Sequence, residues 1–219
     1  MSIKSTFGLA AVLVAGPLAT AAAQAVSGQA FGVFVNTPVA SQVQAPLAVL
    51  PAISGTDGDI AHADADVLGV PNTLSSGFLN STATGAIGTT QTSAQSVATV
   101  ANVDILNGLI TAGEVIATVT STRATNGAAS NANGSTFENL VVAGVPVTSG
   151  DASVAPNTQR SLPGIGYVVL NEQIPSGDGV TTSGMTVNMI HVYLQNFVAG
   201  IPTPAGEIIV GSATSSVGR

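Results

Sequence analysis

Two neighbouring stretches near the middle of the chain repeat every second residue. Ala101, Val103 and Ile105 alternate with Asn102 and Asp104; further on, Val115, Ala117 and Val119 alternate with Ile116, Thr118 and Thr120. A strand sends successive side chains to opposite faces, so this period predicts two half-buried strands over 97–122. Asn107 and Gly108 between them read as a tight turn or a bulge.

Other segments carry the same signature. Residues 30–35, 137–147, 164–171, 186–195 and 207–213 read as strands, rich in Val, Ile and aromatic residues. Residues 43–53 contain Pro46 and Pro51. Proline cannot donate to a ladder, so this segment is expected at a sheet edge or as extended chain. Residues 84–96 are rich in Thr, Gly, Ser and Gln and form either a loop or a polar strand face. Residues 124–136, rich in Ala, Asn, Gly and Ser, are expected to be a surface loop, and 176–179 a turn. An imperfect echo relates Asp66, Val67, Leu68 and Gly77 to Asp104, Ile105, Leu106 and Gly113, and more faintly to 139–144. The expectation is an all-β fold, a jelly-roll-like β-sandwich of mostly antiparallel strands. The echo makes a β-solenoid the alternative.

Composition narrows the class. Charged residues are 7% of the 219, against roughly a quarter in soluble chains. Hydrophobic residues reach 45%, too many for a disordered polymer. Past residue 25 no apolar run approaches the ~18 residues that a membrane-spanning helix needs. The formal net charge is −7 with few basic groups, which excludes the phosphate contacts of a nucleic-acid binder. Cysteine is absent.

The first 25 residues read as a signal peptide. Lys4 supplies a positive start, residues 7–15 an apolar stretch, and Ala21, Ala23 and Ala25 small residues at peptidase spacing. The mature chain, 26–219, is then a single secreted domain without lysine. That excludes Schiff-base chemistry and lysine isopeptide cross-links.

The ordered pieces resemble a known family, the choice-of-anchor P proteins of bacterial surfaces. The resemblance runs through residues 30–36, 100–112, 170–173 (Leu-Asn-Glu-Gln), 186–192 (Thr-Val-Asn-Met-Ile-His-Val) and 207–213. The segments at 170–173 and 186–192 are its specific parts. It implies a secreted bacterial surface or extracellular-matrix domain without enzymatic activity. Residues 214–219 carry no sorting motif or apolar tail, so attachment by those routes is not expected.

Chemistry-bearing residues are few. No pattern typical of a hydrolase, metalloprotease or dinucleotide enzyme occurs, so no catalytic residue is assigned. His191 is expected on one strand face with Val187, Met189 and Tyr193. Asn171, Glu172, Gln173, Asn188 and His191 are expected to form a buried polar cluster that fixes strand register, since buried polar groups need partners. Asp57, Asp59, Asp64 and Asp66, with His62 among them, read as a solvated acidic loop; a calcium site is the alternative, and otherwise no cofactor is expected.

Residues 26–56 are uncharged, and Phe31, Val33 and Val35 alternate there. Edge strands are normally guarded by charge. This strand therefore either pairs within its own domain or completes the sheet of another copy, giving self-association. The functional expectation is a non-enzymatic structural or adhesive surface protein. A module binding surface glycans is the alternative; a polysaccharide-active enzyme or an ice-binding protein ranks below both.

Overall fold

A computed structural model describes residues 26–38, 40–53, 57–198 and 200–218. The signal-peptide segment lies outside the described residues. Seventeen strands follow in order: β1 (Val26–Thr37), β2 (Ala40–Val49), β3 (Gly58–Ala65), β4 (Leu68–Val70), β5 (Leu74–Ser76), β6 (Leu79–Ile87), β7 (Gln91–Ile105), β8 (Ile110–Ala124), β9 (Gly127–Asn131), β10 (Thr136–Glu138), β11 (Val141–Val142), β12 (Val145–Pro146), β13 (Asp151–Ala152), β14 (Thr158–Leu162), β15 (Gly166–Gly177), β16 (Ser183–Val198) and β17 (Ile201–Val217). Among the described residues there is no helix, and so none long and apolar enough to cross a membrane.

The strands form two antiparallel sheets. The first has the order β14-β15-β16-β17-β1-β2; the second is built from β3 to β13. The chain begins in the first sheet, crosses to the second after β2 and returns at β14. The all-β sandwich expected from the sequence is the fold. In the first sheet spatial neighbours are sequence neighbours, except that β17 closes against β1; the second sheet adds longer-range pairs, β3 with β6, β5 with β7, and β8 with both β10 and β11. Two separate sheets also exclude a solenoid's stacked coils.

Residues 124–136 are a surface loop only in part. The chain turns at Thr125 and Asn126, β9 runs back along β8 with Ala128 buried, and a second turn at Asn133 and Gly134 leads into the buried Ser135. Small polar residues mislead here because hydroxyls in this region are satisfied inside the sandwich. Ser121 Oγ meets Ser215 Oγ at 2.7 Å, and Ser130 Oγ meets Ser183 Oγ at 2.9 Å, each joining the two sheets. Ser96 Oγ donates to Thr214 O across the same gap. Beyond this serine zone lies the main core, where Phe137, Leu79 and Ile105 of one sheet face Leu170, Met189 and Ile208 of the other.

The inward face changes parity part-way along the strands. On β16 both Val187 and Met189 are buried in the core, and so are Ile190 and Val192. On β17 the buried set passes from Ile208 and Val210 to Ala213 and Ser215, and on β1 from Ala30 to Val33 and Val35. These changes align in one transverse row, Asn171–Met189–Gly211–Gly32, because the pairings on either side keep constant register. Asn171 (φ 48°) and Gly211 (φ 67°) are left-handed there. The second sheet has the same device at Gly77–Asn102–Gly113–Asn139, with Asn102 (φ 50°) and Asn139 (φ 49°) left-handed. A left-handed residue reverses the side to which the following side chains point, and asparagine and glycine adopt that conformation at least cost.

Gly211 is the member of the row that is both left-handed and closely packed. A Cβ there would combine a positive φ with a 2.9 Å approach to Val115 Cγ1 of the opposite sheet. Gly211→Ala is expected to cost about 1–3 kcal/mol in urea unfolding. Gly69→Ala, at a glycine with nothing within 4 Å, should stay within about 0.5 kcal/mol. Equal losses for the two variants would remove the row from any special role in stability.

Candidate functional site

The parity change creates a polar cluster on the outer face of the first sheet. Beyond the row, Glu172 of β15 and Asn188 of β16 face outward as register partners, and Asn188 in turn pairs with Ser212 of β17. On the other side of the row the outward residues of β16 become His191 and Tyr193, next to Glu207 of β17 and Tyr167 of β15. His191 therefore does not share a face with Val187 and Met189. Those two fill the core, and the switch after Met189 turns His191 outward.

His191 is the hub. Its Nδ1 lies 2.7 Å from Glu172 Oε2 and its Nε2 lies 3.0 Å from Glu207 Oε2. Glu172 Oε2 also accepts from Asn188 Nδ2 at 2.7 Å, and its Oε1 accepts from the Tyr193 hydroxyl at 2.8 Å. Asn188 Oδ1 accepts from Ser212 Oγ at 2.8 Å. Above this layer the Tyr193 ring stacks on His191 (centroids 3.9 Å apart) and on Tyr167 (4.7 Å). Although the face is an outer one, the His191 side chain is only 8% exposed and that of Glu172 13%.

An ionised carboxylate can only accept, so an imidazole with a carboxylate oxygen at each nitrogen is doubly protonated. Burial opposes the charge on His191, but its hydrogen bonds to Glu172 and Glu207, and their charges, outweigh it and raise the pKa above the ordinary value. Burial likewise opposes ionisation of Glu172; His191, Asn188 and Tyr193 overcome it and hold the carboxyl at about 2. Burial and the bond to Glu172 push the Tyr193 phenol up. The arrangement is a cation clasped by carboxylates from two flanking strands. It ties β15, β16 and β17 together.

Of the residues expected to cluster, Glu172, Asn188 and His191 meet. Asn171 and Gln173 do not join them. Asn171 Nδ2 donates to Val154 O at 2.7 Å, Gln173 Nε2 donates to Asn171 Oδ1 at 3.0 Å, and the Gln173 backbone N–H donates to Asn157 Oδ1 at 2.9 Å. This second network fastens the segment that returns from the other sheet. Tyr193, Glu207, Ser212 and Tyr167 complete the cluster but were not visible as members. Only the pairing of β15, β16 and β17, with its parity change, brings them together.

The acidic segment is not a loop. It is β3, which pairs with β6 along one edge of the second sheet. Strand alternation puts Asp59 on one side and His62 and Asp64 on the other, with Asp57 and Asp66 just beyond the two ends of the strand. His62 lies 3.5 Å from Asp64 on an exposed surface. Among the described residues no group of three metal-ligating side chains is assembled. Charge on an edge strand has a simpler use, keeping the open ladder from pairing with another chain.

Phe31, Val33 and Val35 are also divided by the row. Val33 and Val35 are fully buried in the core, whereas Phe31 is outward beside Phe34, ring centroids 6.4 Å apart. Their strand is paired on both sides within its own sheet, by β17 and by β2.

Comparison with known proteins finds no matching family model, no matching characterised protein and no matching solved structure. The class that stands is an antiparallel β-sandwich with a Glu–His–Glu clasp, centred on a buried histidine, on one outer face.

Proposed function

We propose that this chain is exported and works outside the cell as a non-enzymatic structural or adhesive surface domain. The observation that carries the reading is the state of the clasp. Both nitrogens of His191 and both oxygens of Glu172 are engaged by neighbouring side chains. A general acid or base needs a free position within reach of substrate, and this arrangement spends each position on joining strands. The likeness of residues 170–173 and 186–192 to choice-of-anchor P proteins supports the same reading, and these two segments are register partners in the structure. The charge-poor, lysine-free mature chain and the leader-like residues 1–25 support export.

The test is expression of the full chain in a bacterial host, with N-terminal sequencing of the secreted fraction and adhesion of the purified protein to whole cells. Cleavage after residue 23 or 25, with saturable adhesion, is the expected result. Retention of Met1 on extracellular protein, or a polysaccharide-cleaving activity abolished by Glu172→Gln, would overturn the reading.

A further inference from the structure

A recess of about 750 Å³ lies at one end of the sandwich, where turns of both sheets converge. The first sheet contributes Thr37, Ile165, Leu194, Gln195 and Asn196; the second contributes Asn72 and Leu106. The volume falls within the ~300–1,000 Å³ usual for small-molecule sites. It is distinct from the clasp, none of whose residues lines it.

Its chemistry selects a ligand class. Among the described residues, no lining side chain is charged. Leu106, Ile165 and Leu194 supply apolar surface; the amides of Asn72, Gln195 and Asn196 supply neutral donors and acceptors. An acyl chain would leave these polar groups stranded against hydrocarbon. A polyanion would meet no basic group there and a chain of net charge −7. A pyranose matches both halves of the lining, with a C–H face for the apolar side chains and a ring of hydroxyls for the amides.

We infer that this end recess is a binding site for a neutral saccharide unit, held by Asn72 and Gln195 over a floor of Leu106, Ile165 and Leu194. The inference deepens the adhesive reading and rests on it for the extracellular setting in which such a ligand is met.

The test is NMR titration of ¹⁵N-labelled mature protein with two neutral oligosaccharides, cellotetraose and chitotriose. At least one should give saturable shifts at Asn72, Leu106 and Gln195. Asn72→Gly, which tolerates the φ of 57° at that position, and Gln195→Ala should each weaken binding at least ~10-fold with the melting temperature unchanged. Shifts confined to Tyr167 and Tyr193, unaltered affinity in both variants, or no shift with either sugar would overturn the assignment. A protein that is exported and adheres to cells yet shows no shift at the recess keeps the adhesive reading and loses this one. One that binds at the recess but stays in the cytoplasm does the reverse.

Discussion

Deletion of residues 26–37 is expected to abolish folding. The segment is β1, and it lies between β17 and the edge strand β2 in the first sheet. Val26, Ala30, Val33 and Val35 are each at most 1% exposed. Burying a valine contributes roughly 1.5–3 kcal/mol, so the three valines alone approach the ~5–15 kcal/mol stability of a whole domain. The loss does not end there. β2 pairs only with β1 in that sheet and would go with it, and Leu79 of the opposite sheet would lose its cover where it approaches Gly32. Circular dichroism and proton NMR of the truncated chain should show no cooperative melting and no shift dispersion. The contrary result is equally readable. A truncated protein that stays folded and binds a synthetic 26–37 peptide in trans would mean that the strand is exchangeable. Self-association by strand donation would then return as the leading account of assembly.

The same strand shows how far the sequence could be read. Alternation located β7 and β8, and runs of β-branched and aromatic residues located β1, β15, β16 and β17, with ends missed by up to about six residues, because one face of each strand is apolar over much of its length. It could not say which residues share a face across a switch row. Phe31, Val33 and Val35 look like one face, yet Gly32 separates them; Val187, Met189 and His191 look like another, yet the row ends at Met189. The signal was local and small: Asn102, Asn171 and Gly211, residues that take a left-handed backbone at low cost, placed inside strands where their β-propensity is poor. Polar composition misled at 57–66 and 124–136 for a different reason. An edge strand can carry carboxylates on both faces, and small hydroxyl residues can be core where sheets approach closely. Half of the clasp was legible, since Glu172, Asn188 and His191 stood out as the polar residues of otherwise apolar strands. Glu207 and Tyr193 required knowing which strand lies beside which.

His191→Ala should be the most damaging single substitution on the outer face. It leaves Glu172 with Asn188 and Tyr193 as donors but without its counter-charge, and it removes the ring on which Tyr193 stacks. Breaking a buried ion pair from one side costs about 3–5 kcal/mol; with Glu207 36% exposed, about 2–4 kcal/mol is the expectation here. Glu207→Gln should cost less than about 1 kcal/mol, because solvent already screens that partner. The pH dependence identifies the cause. Folding raises the His191 pKa, so its contribution is fully present below the ordinary value of 6.5 and is lost as pH rises through the folded value. Folding lowers Glu172 from 4.5 to about 2, so its contribution is fully present above 4.5 and is lost as pH falls toward 2. The clasp therefore stabilises most between pH 4.5 and 6.5. Urea unfolding of the wild type should weaken on the alkaline side of that window, while His191→Ala should be flat there. If the two proteins lose stability in parallel above pH 6.5, His191 is not held as a cation, and the clasp is an ordinary hydrogen-bonded network.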